Sequence, residues 1–191
     1  KDMKFLDKYN NSKNIRFKSF EETLKLSLKR GAKTIVETGT ARGKIKFFLF
    51  RKYNWKDGMS TIMFAEYAKF TKGKLYTCDI SQKNINSAKK FTYNLREFIN
   101  FYVDDSINFL KNFKLPIDLL YLDSFDGHDP IKASEHQLKE AEASIDKLHS
   151  NSLILLDDKG SKTNLSIEFF KKKRFKIIYE TNNQILFSKQ W

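Results

Sequence analysis

The sequence predicts an α/β fold: a doubly wound, mostly parallel seven-stranded sheet closed by a C-terminal antiparallel hairpin. Three observations carry this. Short apolar runs alternate with segments of helical period along most of the chain, the pattern of repeated βα units. One of those runs, "IDLLYL", is nearly all apolar, as a strand buried on both faces must be. The chain ends on "FKIIYE" and "QILFSK" around "TNN", two β-rich runs joined by a turn. The 191 residues, 40% hydrophobic and 15% aromatic, can fill one core,. With no repeat or Pro/Gly/Ser linker, a single domain over residues 1–191 is expected,.

The elements follow in order. Residues 17–31, "FKSFEETLKLSLKRG", put Phe20, Leu24, Leu26 and Leu28 near helical spacing and stop on Gly31, so residues 1–31 read as an N-terminal helical segment,. Strand one is "KTIVETG". "STIMFAEYAKFTKG" is a helix with Ser60 as N-cap and Gly73 as its stop,. "KLYTCDI" is strand two, "QKNINSAKKFTYNLRE" a helix and "INFYVDDS" strand three. "INFLKNF" is a short helix before strand four, "IDLLYLDS". "KASEHQLKEAEASIDKLH" is a helix, "SLILLDD" strand five and "NLSIEFFKKK" the last helix. Between strand one and its helix lie sixteen extra residues, 44–59, basic and aromatic. Glu37 and Asp79 are 42 residues apart, and without those sixteen the gap is 26, an ordinary strand–turn–helix–strand length. Residues 44–59 therefore read as an insertion. It is either a lid or acceptor-binding loop hinged near Gly43 and Gly58, with Phe47, Phe48, Tyr53 or Trp55 touching ligand, or extra core, or a homodimer contact.

The net charge is +13. A nucleic-acid partner is one reading of it. The other is composition: 30 Lys against 6 Arg, with 14 Asn and 18 Phe, is the pattern of an AT-rich coding sequence. Sequence-reading proteins lean on Arg for bidentate contacts, so a nucleic-acid partner is not favoured. No apolar run is long enough to cross a membrane, and no secretory signal is seen. The single Cys78 fits a reducing compartment, so a cytoplasmic location is expected,.

Every strand ends on an acid: Glu37, Asp79, Asp104–Asp105, Asp123 and Asp157–Asp158. Ligands of parallel sheets bind beyond those ends. Each acid alone could be a helix cap or turn former. Five in succession, in a basic chain, point to a site. "ETGTARG" spaces its glycines as GxxxG, not as the GxGxxG of dinucleotide enzymes, and Glu37 would repel a pyrophosphate. A ligand with a cationic group, a ribose and an exocyclic amine suits this rim. Asp79 can accept from both ribose hydroxyls, Asp105 from the amine, and Ser106 can donate to a ring nitrogen. S-adenosylmethionine has these features.

"VETGTARG", "LYTCDIS", "YVDDSINFL", "LLYLDS" and "LILLDD", in that order, resemble the Rossmann-like class I S-adenosylmethionine-dependent methyltransferases. The likeness runs from Thr34 to the C-terminus. Within the class, "VETGTARG" with the later "STI" is most similar to sugar O-methyltransferases that act on macrolide-type antibiotics. The resemblance implies a methyltransferase that O-methylates a small-molecule or sugar hydroxyl. It implies a cofactor site of Glu37, Thr38, Gly39, Thr40, Gly43, Ser60, Thr61, Asp79, Ile80, Asp105, Ser106 and Asp123. The methionine carboxylate would meet Ser60 and the first amides of its helix, and Glu37 the ammonium side. In the sugar-modifying group the strand-four acid and the strand-five acid pair hold a divalent ion, which makes Asp123, Asp157 and Asp158 candidate ligands for Mg²⁺.

Methyl transfer is an in-line displacement in which alignment does much of the work, and a hydroxyl acceptor also needs a base or a metal. Asp123, Asp126 and His128 are the candidate catalytic residues, although "DSFDGHDP" is also ordinary turn chemistry. His136 and His149 are assigned to the following helix as bystanders. Cytosine C5 chemistry needs a nucleophilic Cys, and Cys78 is misplaced within strand two. Two alternatives stay open: a nucleic-acid-modifying methyltransferase using the basic surface, and a non-catalytic cofactor-binding protein of the same fold.

Overall fold

The computed structural model describes residues 2–125 and 128–189. Seven strands form the main sheet: β1 (Thr34–Thr38), β4 (Lys74–Asp79), β5 (Ile99–Val103), β6 (Ile117–Leu122), β7 (Leu148–Asp157), β8 (Lys176–Glu180) and β9 (Gln184–Ser188). Their order is β5-β4-β1-β6-β7-β9-β8. The first five pair in parallel, and β9 runs antiparallel to both β7 and β8. The expected seven-stranded, doubly wound sheet with a reversed C-terminal hairpin is the fold observed.

Period-two alternation divides the core between the two faces. Ile35, Leu119, Tyr121, Leu153 and Leu155 point to one side with Phe20, Leu24, Met63, Phe64 and Tyr67. Those helical residues come from α1 (Phe17–Lys29) and α2 (Ser60–Thr71). Val36, Leu120, Leu122, Ile154 and Leu156 point the other way, against Phe109, Leu110, Ala141 and Phe170. These lie on α4 (Ser106–Asn112), α5 (Pro130–Ser144) and α6 (Asn164–Lys172). β6 and the inner part of β7 are buried on both faces, as their unbroken apolar runs require,. At about 25 cal/mol per Å² of apolar area, this burial is the main stabilising term.

Several boundaries differ from expectation. The helix after β4 ends early: α3 (Gln82–Phe91) stops at Thr92 and a 3-10 segment, Tyr93–Phe98, follows. β7 begins at Leu148, four residues before the expected strand, because it lengthens along β6 through a register shift. His149 therefore lies on a strand, hydrogen-bonded to Asp118 at 2.8 Å, and not on α5. Ser60 is the first residue of α2, not its cap; the cap position is Met59, in the left-handed region at φ 59°.

Residues 44–59 carry regular secondary structure. β2 (Lys44–Phe47) and β3 (Phe50–Tyr53) form a separate antiparallel hairpin, and a 3-10 turn, Trp55–Asp57, returns the chain to α2. Phe48, at the turn, has φ 53°, an uncommon conformation for an aromatic residue,. The hairpin's base is anchored: the Tyr53 ring meets Phe91 at 6.0 Å between centroids, and a Cβ on Gly43 would fall 2.0 Å from the Phe91 ring. Its return is pinned from the N-terminal segment, since Arg16 donates to the Lys56 carbonyl at 3.0 Å.

Candidate active site

Strand order reverses beside β1: β4 lies on one side and β6 on the other. The connections leaving these strands diverge at that point and open a crevice at their carboxyl ends. A cleft of about 450 Å³ lies there. Its walls come from the loops after β1 (Gly39, Thr40, Arg42), β4 (Asp79, Ile80), β5 (Asp105, Ser106) and β6 (Asp123, Ser124, Phe125), with Asn84 of α3 and His136 of α5.

Gly39 makes the close approach. Its φ is +83°, and a Cβ there would fall 2.1 Å from the Asp123 carbonyl oxygen, so the β1 and β6 loops meet only because it is glycine,. Asp79 is held from three directions. Its carboxylate accepts from the Thr40 amide at 3.2 Å, the Ser81 amide at 2.8 Å and the Asn84 side chain at 3.3 Å. Asp105 accepts from the amides of Ile107 and Asn108, capping α4 at the cleft wall,.

Five of the cofactor candidates are not in the lining. Glu37 is fully buried and accepts from Ser60 Oγ at 2.5 Å, Thr61 Oγ1 at 2.6 Å and Thr77 Oγ1 at 2.8 Å. Its carboxylate is turned to these hydroxyls and lies outside the cleft lining, away from the expected ammonium contact, and Ser60 and Thr61 spend their hydroxyls on it. Thr61 Oγ1 also accepts from the Ala41 amide at 2.7 Å. This knot fixes the start of α2 against the end of β1. Burial pushes the Glu37 carboxyl up to about 7, against the pull of its three hydroxyl partners. Thr38 lies beneath the cleft floor with its hydroxyl buried, and Gly43 packs on Phe91. Gly39, Thr40, Asp79, Ile80, Asp105, Ser106 and Asp123 do line the cleft.

Of the catalytic candidates, Asp123 is in the cleft wall, and His128 is exposed and outside the lining. Asp126 lies outside the described residues. His136, expected as a bystander, is a wall residue. Its Nε2 lies 3.0 Å from both Ser106 Oγ and Ser124 Oγ, and the Phe125 ring stacks on it at 5.3 Å. Behind it, 3.8 Å away, the Glu140 carboxyl is fully buried and raised by that burial. The i,i+4 pair in "EHQLKE" was the available signal. Asn84 had one too, three residues after a Ser N-cap. Cys78 also lines the cleft, and burial first, then Asp104, pushes its thiol up to about 12, against thiolate chemistry,.

Asp123, Asp157 and Asp158 converge, with one carboxylate oxygen of each within 4.8 Å of the others. Two cations already sit among them. Arg16 Nε is 2.6 Å from Asp157 Oδ1, and its Nη2 is 3.2 Å from Asp157 Oδ2 and 3.0 Å from Asp158 Oδ1. Lys162 Nζ is 3.2 Å from Asp158 Oδ2 and 3.8 Å from Asp123 Oδ1. Burial, and then Asp157, raises Asp123 well above the carboxylate range. Burial also pushes Asp157 upward, but its bonds to Asp123, Arg16 and Gln184 outweigh it and hold the group low.

Comparison with known proteins agrees with this geometry. Residues 55–159, more than half the chain, match the family model described as a methyltransferase domain. No curated protein matches by sequence. Among solved structures, the SAH-bound methyltransferase PaMTH1 of Podospora anserina superposes with a TM-score of 0.66 at 14% identity, over 95% of this chain and 80% of that one. An rRNA methylase from Streptococcus thermophilus gives 0.61 at 14% identity, over 90% and 96%. The N-methyltransferase NodS of Bradyrhizobium japonicum gives 0.57 at 13%, over 89% and 92%. At such identities these likenesses speak to the fold. The chain belongs to the methyltransferase-domain family, as a class I S-adenosylmethionine-dependent methyltransferase.

Proposed function

We propose that this protein transfers the methyl group to a hydroxyl of a small-molecule or sugar acceptor, with Asp123 as the residue that takes the hydroxyl proton. The carrying observation is the double position of Asp123: it lines the cleft and also belongs to the acid–cation cluster behind it. The cofactor's ribose hydroxyls are assigned to Asp79, whose carboxylate is pre-oriented by three donors. Its adenine is assigned to the Asp105–Ser106 wall, beside Phe125 and His136. Bound there, S-adenosylmethionine supplies a methyl on a positively charged sulfur and leaves as S-adenosylhomocysteine. Burial, and then Asp157, raises the Asp123 carboxyl, so the ionised form that can accept the hydroxyl proton grows as pH rises, and turnover should rise with it,. The Tyr121 hydroxyl donates to Asp123 Oδ2 at 3.3 Å and orients it. One domain carries the whole reading.

The test is S-adenosylhomocysteine formation with a pool of sugar and small hydroxyl acceptors. Asp123→Asn is expected to lower turnover by about 10²-fold or more, with S-adenosylhomocysteine affinity retained. Unchanged turnover in Asp123→Asn removes the assignment. Cofactor binding without turnover on any acceptor favours the non-catalytic alternative.

The hairpin favours a second reading. Phe48 (80% exposed), Leu49 (93%) and Phe50 (72%) project beside Lys46, Arg51 and Lys52, and Arg42 and Asp57 at the hairpin's root line the cleft. Aromatic and basic side chains together suit a single-stranded nucleic acid. RNA binding that weakens steeply with added salt would support it.

A further inference from the structure

We propose that Arg16 and Lys162 are built-in counter-ions of the acid cluster behind the cleft, and that this methyltransferase holds no divalent metal there. The Asp123, Asp157 and Asp158 set has the composition of a Mg²⁺ site, but the Asp157 and Asp158 oxygens already face cations. Asp157 Oδ1 accepts from Arg16 Nε at 2.6 Å and Gln184 Nε2 at 2.8 Å. Asp157 Oδ2 and Asp158 Oδ1 share Arg16 Nη2, and Asp158 Oδ2 accepts from Lys162. All four oxygens of the pair therefore face a donor hydrogen, and a metal there would have to share them with the guanidinium and the ammonium,. Mg²⁺ also requires oxygens at about 2.0–2.1 Å in near-octahedral array, and a guanidinium on the same oxygens would be pressed against the ion.

Charge leads to the same conclusion. Three carboxylates carry at most three negative charges, and Arg16 and Lys162 match two of them. A divalent ion added to the remainder would leave an uncompensated positive charge in a largely buried cluster, which is costly. Neither cation is placed to leave. The Lys162 side chain is 6% exposed and that of Arg16 14%. Arg16 is held further by the Lys56 carbonyl. Lys162 sits on the short Ser161–Thr163 turn, closed by reciprocal bonds between Gly160 and Thr163. The inference is independent of which acceptor is methylated.

The experiment titrates Mn²⁺ into the full chain, with and without S-adenosylhomocysteine, and counts free ion by electron paramagnetic resonance. The wild-type protein is expected to leave the ion free. Lys162→Met, and the double variant Arg16→Gln/Lys162→Met, should gain a single site at least about tenfold tighter than any wild-type binding, a change of 1.4 kcal/mol. Circular dichroism checks their folding, and Lys162→Gln replaces Lys162→Met if the latter does not fold. Wild-type Mn²⁺ binding that Asp158→Asn abolishes overturns the proposal. So do folded Lys162 variants that take up no ion, because the cations would then not be what closes the site.

Discussion

Replacing Glu37 with Gln should erase one component of the pH dependence of stability, and its size can be worked out. The carboxyl is buried among Ser60, Thr61 and Thr77, and burial raises it to about 7 from 4.5. The folded state therefore holds this proton more tightly than the unfolded chain does. The contribution to stability is fully present below pH 4.5 and is lost as pH rises from there to about 7,. At 1.36 kcal/mol per unit, the loss is about 3 kcal/mol. Gln has the same shape: its oxygen can accept from Thr61 and Thr77, and its amide can donate to Ser60 Oγ, which is free to turn. Urea unfolding of both proteins, from about pH 4.5 to about pH 8, reads the effect as a difference, so groups common to both cancel. The variant should gain on the wild type by up to about 3 kcal/mol across that window. Parallel curves would refute the claim that Glu37 is buried without a counter-charge.

Other outcomes are equally specific. Gly39→Ala combines a +83° φ with a 2.1 Å clash on the Asp123 backbone; it should cost about 2 kcal/mol or more and weaken S-adenosylhomocysteine binding, both read by thermal shift with and without ligand. Arg16→Ala strands Asp157, whose side chain is 3% exposed; a loss of about 3–5 kcal/mol in urea unfolding is expected, and wild-type stability would mean the pair is not buried in solution. Leu49→Ser and Phe50→Ser lie on the exposed hairpin; stability should move by no more than about 0.5 kcal/mol while acceptor turnover falls, and unaltered turnover would remove the hairpin from acceptor binding.

The centre of the sheet was legible because β6 and the inner part of β7 are buried on both faces and so must be written in apolar residues, as "IDLLYL" and "LILLD" are,. The rim was legible because each strand hands over to its loop on an acid. The hairpin was not. It lacks an Asn-Gly or Asp-Gly turn, bends at Phe48 and Leu49, and keeps polar residues on strands without a core face,. The partner of Glu37 was also hidden: the hydroxyls that saturate it are 23, 24 and 40 residues away, and no local pattern announces such a pairing. Arg16 reaches farther still, 141 residues along the chain to Asp157. The acid trio read correctly as a cluster, but its counter-ions came from an N-terminal segment and a surface-seeming "KGSK".

In the proposed complex, the cleft at the end of β1 and β4 binds S-adenosylmethionine with Asp79 as the ribose acceptor. A crystal structure with S-adenosylhomocysteine tests it most directly. Both ribose hydroxyls are expected on the Asp79 carboxylate, the adenine between Ser106 and Phe125, and the sulfur directed toward Asp123. Ligand bound with its ribose away from Asp79, or outside this cleft, would contradict it.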